Sequence, residues 1–260
     1  MEKVVVEQRG HILVVTLNRP EARNAVDHDV CLGVGDATER AEADPEIRAV
    51  ILTGAGEAAF CAGADLKAIA RGERILPEGK EHWSFAGFVN HFTSKPVIAA
   101  VNGTALGGGT ELVLACDLVV AVETASFGLP EVKRGLIAGA GGAFRIGRQL
   151  PAKLAMELLL TGRPLSAADA LRWGLINRVV PPGQALTAAL ELAEEIAANA
   201  PLAVQGSKRL AYGASPAGRS DEADLWELTK AEIRQILRSE DAREGPTAFA
   251  EKRAPVWKAR

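Results

Sequence analysis

Apolar residues fall along this chain in two rhythms. Val4 to Glu7 and His11 to Leu17 are rich in β-branched residues and meet through Arg9-Gly10, which predicts a hairpin ended by Asn18-Arg19-Pro20. Asp27 then stands as an N-cap before a helical periodicity that runs to about Ala43 and stops at Asp44-Pro45. Ala49 to Thr53, Pro96 to Val101 and Leu118 to Val122 are continuous apolar runs of strand length, the pattern of strands buried on both faces, and Gly107 to Cys116 reads as a helix between the last two. Strands alternating with helices predict an α/β core whose functional loops follow the strands. Residues 71 to 95 are less regular, with Pro77 and Gly79 followed by Trp83, Phe85, Phe88 and Phe92. They predict a loop and an amphipathic helix closing the core, with the side wall of an apolar ligand site as the alternative. After the strand-like Asn177 to Val180 and the break Pro181-Pro182-Gly183, the remainder reads as helical. We place a core carrying any active site at residues 1–196 and a helical region at 197–260, whose apolar positions Leu225, Leu228, Ile233, Ile236 and Leu237 call for a partner surface.

Composition narrows the functional classes. A chain of 260 residues with 48% hydrophobic and 24% charged positions is an ordinary globular one. Its 30 basic and 33 acidic side chains give a net charge of −3, so no global field collects nucleic acid or an anionic membrane. Cys31, Cys61 and Cys116 are odd in number and widely spaced, which predicts neither a disulfide framework nor a zinc knuckle and fits a reducing compartment. The opening residues lack the features of a signal or transit peptide, and no apolar run reaches the ~20 residues of a spanning helix, so the expected location is the cytoplasm.

Familiar motifs are weak or missing. Gly54-Ala55-Gly56-Glu57-Ala58-Ala59 follows a strand as a dinucleotide-binding turn would, but the small, irregular Phe60 to Asp65 continues where a long helix should begin. Gly139-Ala140-Gly141-Gly142 lacks the lysine and hydroxyl of a P-loop, no G-x-S-x-G elbow occurs, and the four histidines show no ligand spacing.

The informative segment is Asn102-Gly103-Thr104-Ala105-Leu106-Gly107-Gly108-Gly109-Thr110-Glu111-Leu112. A strand runs into three glycines, where backbone is open to a ligand and the amides at a helix start favour negative charge. One turn in, Glu111 enters an almost wholly apolar helix, and a carboxylate desolvated there should have a raised pKa, as an acid–base residue needs. Phe60-Cys61-Ala62-Gly63-Ala64-Asp65-Leu66 is a second small-residue turn, placed so that an amide near Ala64 joins one at the helix start in an oxyanion hole. Pro130-Glu131 offers another glutamate beside the glycine-rich run from Gly135 to Gly142.

Together these residues resemble the crotonase superfamily, specifically its enoyl-CoA hydratase/isomerase members, from Asn18-Arg19-Pro20 to Glu251-Lys252-Arg253. The resemblance implies a spiral of ββα units with a C-terminal helical region that trimerises, giving a homotrimer or homohexamer. It implies Ala64 and Gly108 as the oxyanion-hole amides and Glu111 and Glu131 as the acid–base pair. Ala62, Asp65, Leu66 and Gly139, with Phe249 and Lys252 from the C-terminal end, become the substrate and CoA contacts. The implied reaction is hydration of a 2-enoyl-CoA to a 3-hydroxyacyl-CoA in fatty acid β-oxidation, Glu111 taking a proton from water and Glu131 delivering one to the α-carbon. No separate cofactor and no metal are implied, because coenzyme A is part of the substrate. A carnitinyl-CoA-type dehydratase or an enoyl-CoA isomerase is the alternative, and two retained glutamates favour hydration or dehydration over isomerisation. Ala138, where many hydratases have proline, and Thr104, where an aromatic is frequent, depart from the pattern. The RNA-binding variant of the family is disfavoured because the helix that would carry its lysines reads Ala37-Thr38-Glu39-Arg40-Ala41-Glu42-Ala43-Asp44.

Overall fold

The computed structural model describes residues 2–215, 218–219 and 222–258. The opening hairpin forms as β1 (Val4–Arg9) and β2 (Ile12–Leu17), paired antiparallel, and α1 (His28–Ala43) follows with the Asp27 carboxylate accepting the Val30 N–H at 3.1 Å. The three apolar runs become β3 (Ala49–Gly54), β5 (Val97–Val101) and β7 (Leu118–Val122). Each is followed within a few residues by a three-residue strand: β4 (Ala59–Cys61), β6 (Thr104–Leu106) and β8 (Ser126–Gly128).

The long strands collect into a six-stranded sheet that ends with β10 (Arg178–Val180), in the order β1-β2-β3-β5-β7-β10, parallel from β2 onward. The short ones collect into a second sheet, β4-β6-β8-β9, closed by the antiparallel β9 (Leu165–Ser166). Each strand pair thus divides itself between two sheets before a helix or helical turn returns the chain, which is the spiral of ββα units. β3 and β5 are buried along their whole length, so continuous apolar sequence is what their places in the sheet demand.

The helices that return the chain are α2 (Leu66–Ala70), α3 (Gly108–Ala115), α4 (Gly142–Gln149), α5 (Ala152–Thr161) and α6 (Ala167–Arg172). Then α7 (Ala185–Ala197) lies along β3, β5 and β7 through Ala185, Ala189, Ala193 and Ala197, a stripe at intervals of four whose small side chains let the helix sit close to the sheet. The chain ends in α8 (Pro201–Ala211), α9 (Ala223–Ile236) and α10 (Glu240–Ala250). Among the described residues no helix is long and apolar enough to cross a membrane.

Residues 71–95 differ from expectation. In place of an amphipathic helix there are two 3-10 turns, Glu81–Trp83 and Phe85–Gly87, with left-handed backbone at Ser84 and Ala86. Trp83 is fully buried with its ring against Gly35 of α1, and His91 stacks on it at 4.8 Å. Burying one large aromatic is worth roughly 1.5–3 kcal/mol, which holds this segment on α1 without a helix of its own.

Candidate active site

Three consecutive glycines bring α3 into place because each meets a different neighbour. A Cβ on Gly107 would lie 3.1 Å from Glu131 Oε1, one on Gly108 would strike the Phe85 ring, and one on Gly109 would strike the carbonyl of Cys61 in β4. Gly107 also has φ of +56°, which larger residues rarely adopt, and its N–H donates to Gly128 O at 2.8 Å. Buried Thr110 fastens the helix start to the small sheet, its hydroxyl donating to Ala105 O at 2.7 Å and accepting from Gly128 N at 2.9 Å.

Glu111 therefore points into a closed interior at 3% exposure. Its Oε1 accepts two amides from the turn before α4, Ala140 N at 2.7 Å and Gly142 N at 2.9 Å. Burial, and after it the neighbouring Glu131 charge, push the Glu111 carboxyl up to about 8, with the two amides and the Arg145 guanidinium pulling the other way. Glu131 sits in the 3-10 turn Pro130–Arg134, with Gly135 closing the turn in left-handed conformation. Its Oε2 is buried with no hydrogen-bond partner, and burial pushes this carboxyl up to about 7. Burial thus raises both carboxyls toward neutrality.

The Ala64 turn arrives at the same place. Val26 N donates to Gly63 O and Asp65 N to Val26 O, both at 2.8 Å, while the Ala64 N–H between them meets no acceptor among the described residues. A Cβ on Gly63 would lie 3.2 Å from Gly108 N, so this turn lies against the start of α3, whose first amides also lack acceptors by helix geometry. Asp65 steadies the turn. Its Oδ1 accepts Lys67 N at 3.0 Å and Ala68 N at 3.1 Å, and its Oδ2 pairs with Arg19 Nη2 at 2.8 Å. Burial pushes the Asp65 carboxyl up, but Arg19 and the helix amides outweigh it and hold the group below the usual carboxylate range.

The remaining expected contacts are spread more widely. Ala62 commits its N–H to Arg23 O at 3.0 Å, leaving its carbonyl without a donor among the described residues, and Leu66 is half exposed at the head of α2. Gly139 lies beneath Ile233 of α9. Phe249 is half exposed with the Arg134 guanidinium 3.9 Å over its ring, and Lys252, in left-handed conformation just past α10, is exposed. Among the described residues no cluster of three or more metal-ligating side chains forms.

Sequence reasoning singled out the glycine-rich run but not Ala140 and Gly142 as the amides that hold Glu111. It missed Phe85 over Gly108, and Arg145, whose only signal was an arginine beside Ile146 in a helix that must be partly buried.

A sequence model described as enoyl-CoA hydratase/isomerase matches residues 7–260. Carnitinyl-CoA dehydratase of Salmonella typhi is 45% identical, the match covering 100% of this chain and 99% of that protein. Among solved structures, carnitinyl-CoA hydratase from Mycobacterium avium is 63% identical with a TM-score of 0.99, each chain covered in full. An enoyl-CoA hydratase from Mycobacterium tuberculosis is 47% identical with a TM-score of 0.78, again over 100% of both chains.

Proposed function

Since the chain belongs to the enoyl-CoA hydratase/isomerase family, we propose that it adds water reversibly across the double bond of a 2-enoyl-CoA, with Glu111 and Glu131 as the acid–base pair. The observation that carries this reading is the pairing itself: two carboxyls raised toward neutrality beside a helix start with open amides. Ala64 and Gly108 donate their N–H groups to the thioester oxygen and stabilise the charge that gathers there as the β-carbon is attacked. Glu111, whose ionised form the Ala140 and Gly142 amides support against the larger effect of burial, takes the proton of the attacking water when it is ionised. Glu131, protonated, delivers its proton to the α-carbon, and proton exchange between the pair and solvent restores the starting state. Dehydration runs the same steps backward. Ala62, Asp65, Leu66 and Gly139 contact the thioester and its CoA arm, with Phe249 and Lys252 at the pantetheine or phosphate end. Glu111→Gln and Glu131→Gln should each lower kcat on crotonyl-CoA by at least ~10²-fold with KM little changed. Wild-type turnover in either variant would remove that residue from the pair.

A second reading concerns the acyl group. Relatives named for carnitinyl-CoA, 44% to 63% identical over the whole chain, favour a substrate carrying a quaternary ammonium. A cation held near two carboxyls draws them toward the ionised state, so such a substrate should move the pH optimum down relative to crotonyl-CoA. Comparing kcat/KM for crotonyl-CoA and its trimethylammonium analogue, crotonobetainyl-CoA, decides between the readings. A tenfold or larger preference for the cationic thioester selects the second.

A further inference from the structure

Arg145 is 3% exposed in the interior of α4, one turn beyond the Gly142 amide that holds Glu111. Its Nε donates to Glu222 Oε1 at 3.0 Å, and its Nη2 reaches both Glu222 Oε2 at 2.6 Å and Val89 O at 2.7 Å. Nη1 is buried without a partner and lies against the backbone of Gly141, where an added Cβ would come within 2.9 Å of it. One guanidinium therefore joins three separate parts of the chain: the 138–142 turn, the 88–92 segment that follows Phe85, and Glu222 at the head of α9. Glu222 is 1% exposed, and so deep a pair is not explained by surface charge.

We propose that Arg145 is a positioning residue, locking in place the turn whose amides hold Glu111, and that Glu222 sets how much of the Arg145 charge reaches that carboxyl. A fork fixed by Glu222 and Val89 packs its free nitrogen against Gly141 at a set position, which a flexible cation would not do. The charges surrounding the pair come from several elements. Arg148 of α4 lies 3.9 Å and Arg219 3.1 Å from Glu222 Oε1. His91, Asp117, Lys208 and Tyr212 face Arg145 across a cavity of about 40 Å³. Lys208 and Asp117 are themselves paired at 2.6 Å, so across that cavity Glu222 is the carboxylate committed to Arg145. Arg145 is also among the charges that pull the Glu111 carboxyl down.

The proposal rests on Glu111 belonging to the acid–base pair, and its test reads Glu111 directly, so a protein inactive on every thioester still answers it. The ¹³C resonance of the Glu111 side-chain carboxyl, assigned by its loss in Glu111→Gln, is followed against pH. Glu222→Gln keeps the shape and the acceptor but removes the opposing charge, so the Glu111 midpoint should fall by about 0.5 pH unit or more. Replacing the buried pair together, Arg145→Met with Glu222→Leu, keeps an apolar interior and should raise the midpoint by a comparable amount. Opposite shifts from two changes at one pair are not produced by a merely structural contact. Arg145→Lys keeps the charge and loses the fork, so kcat on the preferred thioester should drop about tenfold with KM within threefold. Coincident midpoints in wild type and variants, or wild-type kcat in Arg145→Lys, would overturn the proposal. If Glu222→Gln does not fold, the apolar pair decides alone, and an unchanged or lowered midpoint there is equally fatal.

Discussion

Glu111 is a single residue whose chemistry and stability pull in opposite directions. Its folded carboxyl titrates near 8 while in the unfolded chain it ionises at the ordinary carboxylate value. Between those two values the unfolded state has released a proton that the folded state retains, so this group lowers stability progressively as pH rises from about 4.5 to about 8, and adds nothing further above that. Gln at this position has no proton to release and still accepts the Ala140 and Gly142 amides. Glu111→Gln should therefore melt higher than wild type, by a margin of several degrees that widens from pH 5 to pH 8 in calorimetry. A constant difference across that range would show that Glu111 carries no such penalty. The burial of Glu111 and its raised carboxyl were legible in sequence because a carboxylate stands in a run of Leu112, Val113 and Leu114, where desolvation is unavoidable. The Arg145–Glu222 pair was not legible, since its partners are 77 residues apart and each side chain alone is an ordinary helix residue.

At the scale of elements, legibility followed length and apolar content. β3, β5 and β7 are unbroken apolar runs, and α1 announces itself through the Asp27 cap. The strands β4, β6 and β8 are three residues each and drawn largely from small side chains, so no periodicity distinguishes them from turns. The 71–95 segment misled because its aromatics suggested a helix face, whereas Trp83, Phe85, Phe88 and Val89 reach the core from turns. The short helix α2 depends most on one cap. Asp65→Ala removes two helix amide bonds and the Arg19 pair, and should cost about 2–3 kcal/mol in urea unfolding, while Asp65→Asn, which keeps an acceptor for the amides, should cost about 1 kcal/mol. Because Asp65 is held below the usual carboxylate range, its contribution is complete above the ordinary carboxylate value and is lost as pH falls through the lower, folded value. The gap between Asp65→Ala and wild type should shrink accordingly in strong acid. Equal stability of Asp65→Asn and wild type would mean that the ion pair with Arg19 adds nothing, and equal stability of the two variants that the amide caps add nothing.

Over the whole molecule, the last helices complete what the spiral begins. Gly245 of α10 is pressed against the Arg134 carbonyl and Gly135 against that of Asp241, so α10 rests on the turn that carries Glu131. Gly245→Val should push the two apart, speed amide exchange over 130–135 and lower kcat by at least about tenfold, since small misplacement at a reacting centre is costly. Unchanged exchange in that segment would show that α10 does not hold it. Exposed Leu202, Leu210, Leu228, Leu237 and Phe249 support the further expectation of a trimer or hexamer, and a monomer at micromolar concentration in light scattering would defeat it. The order of the six-stranded sheet has a consequence for how the protein is made. From β2 onward each strand pairs with the one added before it, β3 on β2, β5 on β3, β7 on β5 and β10 on β7. A nascent chain leaving the ribosome can therefore lay down the sheet in the order of translation, with the edge of β7 waiting longest, until β10 is made. Glu111, Glu131 and the amides of Ala140 and Gly142 are all in hand by the time α4 emerges, yet Glu222, Ile233 and Gly245 arrive only with the final stretch. The residues that brace the candidate site are thus made after the residues that compose it.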